Sequence, residues 1–280
     1  KHFIPMTLNC KGKLVDLTSP KIMGILNLTP DSFYDGGKYK DEAAILNQVE
    51  RMLNEGATFI DMGAYSSRPG AEHVSEDEEK RRLLPILELV LKNFPQAHIS
   101  IDTFRSGMAR AWLERGAALI NDISAGNLDA QMFQVVSEFK APYIMMHLKG
   151  TPQSMQKQAI YEDLIQELLF YFSSKLKQAH DTKLVDVVID PGFGFAKTTP
   201  QNFELLQQLY LFKTLGKPLL IGLSRKSMIY KTLGTSAKEA LNGTTALHAV
   251  ALLKGANILR VHDVKEALEC IQLMNALPES

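Results

Sequence analysis

The 280-residue chain has only two cysteines, Cys10 and Cys270, near opposite ends and in no CxxC or metal-ligand spacing. That scarcity argues against a disulfide framework or a thiolate metal site, and for two unpaired thiols in a reducing compartment. Neither charge sign is in excess, since 31 Lys plus Arg balance 31 Asp plus Glu. The electrostatic footprint of a nucleic-acid or anionic-membrane binder is therefore missing, although local anion sites remain open. No apolar run reaches transmembrane length and no signal peptide is visible, so a cytoplasmic protein is expected. The chain opens at Lys1 without a Met, as a trimmed sequence would. There is no HExxH and no H-x-H after the first apolar run, so no permanent catalytic zinc site is expected. No Pro/Ser-rich linker or low-complexity stretch intervenes, and residues 1–280 are expected to form one domain.

What the chain does have is 45% apolar residues, enough for a full core. It also has eight short apolar runs that end in polar residues. In order these are KIMGILNLT (21–29), TFIDMGA (58–64), HISIDT (98–103), LINDIS (119–124), PYIMMH (142–147), VVIDP (187–191), LLIGLSRK (219–226) and ILRVHD (258–263). Amphipathic stretches lie between them, at about 41–55, 75–93, 106–115, 129–139, 161–178, 200–212, 237–254 and 264–276. Strand–helix alternation repeated eight times predicts a (β/α)8 TIM barrel over about 21–276. TLNCKGKLVDL (7–17) alternates around a Lys-Gly turn and predicts an N-terminal β-hairpin that plugs the bottom of the barrel. Ser75 with Glu78 reads as a capping box, and Thr199-Pro200 places proline at a first helical position.

In such a barrel the carboxyl ends of the strands converge on one mouth. Asn27, Asp61, Asp102, Asn121, His147, Asp190, Lys226, Arg260 and His262 are therefore expected to share one site. The long connections at 29–40, 65–74 and 148–160 suit lids or binding loops. SRKSMIYKTLGTS (224–236) predicts a short extra helix whose N-terminus faces the mouth.

Asp190 leads DPGFGF (190–195). A carboxylate there can accept two hydrogen bonds from an amidine-like edge, as in guanine or pterin, or can cap its own Pro-Gly turn. Asp102 and Asn121 each suit a helix cap taken singly. Together with Asp190 they form a set matched to a flat nitrogen heterocycle, with Asp122 as a structural neighbour. Lys226 can form a Schiff base, or donate to a carbonyl oxygen and ring nitrogen of such a heterocycle. Arg225 beside it, with flanking serines, favours an anion or ligand role for the two cations. Arg260 and His262 alternate and so point to one side, where Arg can hold a phosphate bidentately and His can donate to it. Asn27 precedes TPDSFYDGG (29–37); an amide oxygen beside phosphate suits Mg2+, which takes few protein ligands when a substrate supplies oxygens. Ser66-Ser67-Arg68-Pro69-Gly70 offers hydroxyls and a cation, while Met146 and Phe195 read as pocket walls.

Taken together, GILNLTPDSFYDGG (24–37), SSRPGA (66–71), IDT (101–103), NDIS (121–124), MMH (145–147), DPGFGF, SRKS (224–227) and RVHD (260–263) resemble the dihydropteroate synthase family in type, order and spacing. The resemblance implies condensation of 6-hydroxymethyl-7,8-dihydropterin pyrophosphate with p-aminobenzoate, giving 7,8-dihydropteroate and pyrophosphate for folate biosynthesis. It implies a dissociative substitution with Mg2+ and no covalent enzyme intermediate. By the same resemblance, Asp102, Asn121, Asp190, Lys226, Arg260 and Met146 hold the pterin. Asn27, Ser67, Arg68, Arg260 and His262 hold the pyrophosphate, with Asn27 on the metal. Phe33, Ser67, Pro69, Phe195 and Ser224 form the p-aminobenzoate site, and Asp35, Arg68 and Lys226 act on the reaction itself. A homodimer through helices on the outer wall, and sulfonamides as mimics of p-aminobenzoate, are also implied. The second loop departs from the family: Ala64-Tyr65-Ser66-Ser67 stands where Gly-Glu-Ser-Thr is commoner, so Ser67 keeps the hydroxyl and loses a methyl. Pterin-binding methyltransferases would share the Asp, Asn and Asp set, but Asn27, Arg260, His262 and SRKS favour the synthase.

Overall fold

The computed structural model describes residues 6–28, 38–63, 75–151 and 154–278. β1 (Thr7–Cys10) and β2 (Lys13–Asp16) pair antiparallel, with Cys10 opposite Lys13. The two residues between them, Lys11 and Gly12, both take positive φ (55° and 81°), the conformation a two-residue hairpin turn needs to match strand twist.

Eight parallel strands follow: β3 (Lys21–Asn27), β4 (Phe59–Gly63), β5 (His98–Asp102), β6 (Leu119–Asp122), β7 (Tyr143–Met146), β8 (Val187–Asp190), β9 (Leu220–Ile221) and β10 (Ile258–Val261). Neighbours from β3 to β8 pair in chain order, and β10 pairs with both β3 and β9. The ring closes where Ile189 bridges Leu219 and its N–H donates to the Pro218 carbonyl at 2.9 Å. This is the expected (β/α)8 barrel.

The helices are α1 (Lys38–Asn54), α2 (Glu76–Asn93), α3 (Ser106–Glu114), α4 (Met132–Glu138), α5 (Leu164–Asp181), α6 (Thr199–Gln207), α7 (Ser227–Leu233), α8 (Leu241–Leu253) and α9 (Val264–Asn275). α7 is the short extra helix after the seventh barrel strand. Three of the predicted boundaries need correction. The stretch 200–212 is not one helix: after Gln207 the chain tightens into a 3-10 segment, Leu209–Leu215, stopped by left-handed Gly216. Likewise Ala237–Glu239 is a separate 3-10 turn before α8. The cap of α6 also falls one residue earlier, at Thr198, with Gln201 completing a capping box and Pro200 second in the helix. At α2, Ser75 Oγ accepts the Glu78 N–H at 3.3 Å.

Side chains alternate across a strand, and here the alternation separates two cores from the site. Met23, Phe59, Leu119, Ile144, Val188, Leu220 and Ile258 point inward and meet Leu8, Cys10, Val15 and Leu17 of the hairpin. The hairpin thus closes the lower barrel with a dry plug. Ile60, Ile101, Ile120, Met145, Ile189 and Leu259 point outward into the helix layer. Two residues beyond the plug, the inward positions become Asp61, Asn121, Met146, Asp190 and Arg260, with Asp102 two beyond Ser100. Apolar plug below and polar mouth above come from one two-residue period.

Candidate active site

The floor of the mouth is a charge network. Arg260 Nε donates to Asp61 Oδ2 at 2.7 Å, and its Nη2 lies 3.4 Å from Asp102 Oδ2. Asn121 Nδ2 donates to the same Asp61 oxygen at 3.2 Å, while Asp61 Oδ1 is buried with no hydrogen-bond partner. Neither Asp102 nor Asn121 caps a helix. The N–H of Ser106, at the start of α3, is taken instead by Asp129 Oδ2 at 2.7 Å, which resolves the capping alternative in favour of the cavity. Burial, reinforced by the Asp61 charge, pushes the Asp102 carboxyl up to about 7 despite Arg260. Asp61 was expected at the mouth without a role; the structure makes it the partner that orients Arg260 and Asn121.

Asp190 does two jobs at once. Its Oδ1 accepts the Gly192 N–H at 2.8 Å, so it caps its own turn, yet it also stands in the inward row of the barrel. Gly192 has φ +77°, and a Cβ there would come within 2.4 Å of the His147 carbonyl oxygen. No residue with a side chain fits, which is the physical reason for glycine in DPGFGF. Burial raises the Asp190 carboxyl, opposed by Lys226, the Gly192 hydrogen bond, Arg260 and Lys197. Lys226 Nζ donates to the Phe193 carbonyl and sits 4.8 Å from the centre of the Phe195 ring. Burial lowers Lys226 to about 8, with Asp190 working the other way and Arg260 adding to the fall. Met146 and Phe195 join Ile123, Leu148, Met155 and Ala196, with Phe104, in a small apolar cluster, in keeping with their reading as walls.

Two members of the sequence-based set belong elsewhere. His147 has the outward parity of Met145 and so leaves the barrel interior. It is buried, its ring packs edge-on against Tyr171 with centroids 4.8 Å apart, and Lys197 Nζ lies 3.2 Å from its Nδ1. Burial, with Lys197 and Lys149 adding repulsion, pushes its pKa down to about 2; it is a neutral acceptor. Lys197, unnoticed in the sequence, also donates to the carbonyls of Gly192 (3.0 Å) and Phe195 (3.1 Å), tying the turn that carries Asp190 and Phe195. The signal was there in parity: Asp190 and His147 lie on opposite strand faces.

Arg225 is the second correction. It is not a free cation beside Lys226, because its guanidinium turns to Asp263, with Nε–Oδ2 2.7 Å and Nη2–Oδ1 2.9 Å. Its neighbours stay with the site: Ser224 Oγ is 3.0 Å from His262 Nδ1 and accepts the His262 N–H at 3.3 Å. Asp122 is structural as expected, accepting from Ser124, Gly126 and the Tyr143 hydroxyl. Phe33, Asp35, Ser67, Arg68 and Pro69 lie outside the described residues, as does the side chain of Asn27. The backbone places Asn27 at the carboxyl end of β3, opposite Gly63.

Three carboxylates, an amide, Arg260 and Lys226 thus meet at one barrel mouth. Residues 23–262 match the family described as pterin binding enzyme, and the chain belongs to that family of barrels. Among its members, the dihydropteroate synthase of Synechocystis is 44% identical over 91% of this chain and 89% of its own length. That of Escherichia coli K12 is 38% identical over 97% and 96%. Solved structures superpose closely. Yersinia pestis dihydropteroate synthase in complex with a sulfonamide drug gives a TM-score of 0.89 at 37% identity, covering 97% of this chain and 98% of that one. The Xanthomonas albilineans enzyme with 4-aminobenzoic acid gives 0.89 at 34%, covering 98% and 100%. Within the pterin-binding enzymes the chain therefore belongs to the dihydropteroate synthases, and it is a transferase of folate biosynthesis.

Proposed function

We propose that the residues at this mouth join 6-hydroxymethyl-7,8-dihydropterin pyrophosphate to p-aminobenzoate in the following way. Asp190 and Asp102 accept hydrogen bonds from the N–H-rich edges of the pterin, with Asn121 alongside, and Lys226 donates to its carbonyl oxygen and ring nitrogen. The observation that carries this is unsatisfied acceptor capacity: Asp61 Oδ1 is buried with no hydrogen-bond partner beside Asp102 and Asn121, so the site suits a planar ligand that brings its own donors. Arg260 and His262, at the end of β10, hold the pyrophosphate. Phe195 and Ser224 line the p-aminobenzoate side, with Phe33, Ser67 and Pro69 of the loops completing it; sulfonamides occupy the same subsite.

The amine of p-aminobenzoate is a weak nucleophile, because its lone pair is delocalised into a carboxylated ring. Departure of pyrophosphate first, with the pterin ring delocalising a methylene cation, requires no general base of shifted pKa. Arg260, His262 and Arg68 stabilise charge on the leaving oxygens, and Asp35 supplies the negative charge that stabilises the cation. Mg2+, when bound, neutralises charge on the departing pyrophosphate, and Asn27 is the residue that would hold it. Mg2+ takes few protein ligands where a substrate supplies phosphate oxygens, which is the role proposed for pyrophosphate beside Asn27.

A homodimer is proposed through the outer wall at α7, α8 and α9, where Leu233, Leu253 and Leu273 are exposed. Cytoplasmic residence is proposed from the two free, buried cysteines; among the described residues no helix is long and apolar enough to cross a membrane. The deciding experiment is turnover with the two substrates and Mg2+. Release of pyrophosphate that depends on p-aminobenzoate is expected; its absence overturns the proposal.

A further inference from the structure

The last two barrel strands are joined by very little backbone. β9 has two residues, and its ladder with β10 consists of Leu220–Ile258 and Ile221–Leu259. Ser224 and Lys226, and across from them Arg260 and His262, are thus carried beyond the last paired residue of β9. What spans the gap above the ladder is side chain. One link is Ser224 to His262. The other is the two-point fork from Arg225 to Asp263.

Several features show that this fork is built in. Arg225 adopts φ 54°, a left-handed conformation that is unfavourable for a non-glycine residue and persists only when its surroundings impose it. Its N–H donates to Thr244 Oγ1 of α8 at 3.0 Å, and Nη1 donates to the carbonyls of Ala237 (3.0 Å) and Lys238. Four guanidinium hydrogen bonds leave no role for Arg225 as an anion ligand. Asp263 stands at the N-cap of α9 yet makes no side-chain cap hydrogen bond. An aspartate there ordinarily stabilises its helix by accepting from the first-turn N–H groups; this one has both oxygens on Arg225.

We infer that Arg225 and Asp263 are positioning residues. They form a clamp that holds Ser224 and Lys226 at a fixed spacing from Arg260 and His262. The inference rests on the proposed function, in which the first pair faces p-aminobenzoate and the pterin while the second faces pyrophosphate. In that reaction pyrophosphate leaves a carbon that the amine nitrogen attacks afterwards. The cation is short-lived, so its productive capture needs the amine held close to the carbon that pyrophosphate vacates, and a misplacement of about 1 Å costs on the order of 100-fold.

The test uses the full-length protein with Arg225→Gln, Arg225→Lys, Asp263→Asn and the double variant Arg225→Gln/Asp263→Asn. Each single variant should lower kcat/KM for p-aminobenzoate by about 10- to 100-fold. Arg225→Lys should not rescue, because an ammonium cannot reproduce the two-point fork. The double variant should be no worse than the poorer single. Affinity for 6-hydroxymethylpterin, which lacks the diphosphate, should fall much less than kcat/KM, since Asp102, Asn121 and Asp190 are held independently of the fork and only the Lys226 contact is loosened; a general loosening would weaken it in parallel. Single variants within about threefold of wild type, losses that multiply in the double variant, or parallel loss of pterin affinity each overturn the clamp. If wild type itself shows no turnover, the functional proposal fails. The clamp is then judged by amide exchange at 224–228, expected to be at least about tenfold faster in Arg225→Lys and refuting it if unchanged. Asp263→Asn, nearly isosteric, supplies the same comparison should the Arg225 variants not fold.

Discussion

Asp190→Asn is expected to abolish useful pterin binding while leaving the fold intact. One carboxylate oxygen already accepts the Gly192 N–H at 2.8 Å, and an asparagine carbonyl can keep that bond. The turn should therefore survive, and removing a buried charge whose ionisation burial opposes should not unfold the protein. The ligand side changes differently. A carboxylate meets the N–H and NH2 donors of the pterin edge with acceptors only; the amide turns an NH2 toward one of them. Losing a charged hydrogen bond costs about 1.5–3 kcal/mol, and leaving a buried donor unpaired adds about 1–3 kcal/mol. The sum, about 2.5–6 kcal/mol, corresponds to roughly 10²- to 10⁴-fold in affinity. Calorimetric titration with 6-hydroxymethylpterin measures it, and a thermal melt checks the fold. A folded variant that binds within a few-fold of wild type refutes the assignment of Asp190.

Three further outcomes are expected. If the connections at 29–40 and 65–74 complete the p-aminobenzoate site only once pyrophosphate is bound, p-aminobenzoate should bind weakly to the free protein and tightly with pyrophosphate and Mg2+ present; equal affinity by calorimetry in both conditions rules this out. Lys226 should act by hydrogen bonding, so borohydride during turnover should leave no adduct, and Lys226→Arg should be impaired because a planar fork does not replace a compact ammonium; a mass increase at Lys226 would restore the Schiff-base alternative. Asp102, raised to about 7 by burial and by Asp61, holds a proton in the folded state that the unfolded chain releases near pH 4. Its stabilising contribution is thus complete below about pH 4 and lost as pH rises through about 7. Urea unfolding of wild type and Asp102→Asn at about pH 5 and pH 8 should show the variant gaining relative to wild type at the higher pH, and parallel profiles would contradict it.

The order of elements was legible because each strand and helix is a local pattern: eight apolar runs with polar ends, and a Lys-Gly hairpin before them. The inward row was legible as well, since Asp61, Asn121, Asp190 and Arg260 each stand two residues beyond an apolar plug position. Helix boundaries were less so, because the 3-10 segments at Leu209–Leu215 and Ala237–Glu239 continue an apolar pattern that a helix would share. His147 ends an apolar run as the mouth residues do, but its parity, already in the sequence, turns it out of the barrel toward Lys197. Other facts could come only from the fold. That Arg225 reaches Asp263, that Lys197 holds the Asp190 turn, and that Asp61 orients Arg260 across 199 residues are contacts between segments remote in the chain. Sequence alone specifies which residues carry charge and which face of a strand they occupy. Only the closed barrel decides which buried charges meet, because burial leaves each of them the partners that its neighbours' positions allow.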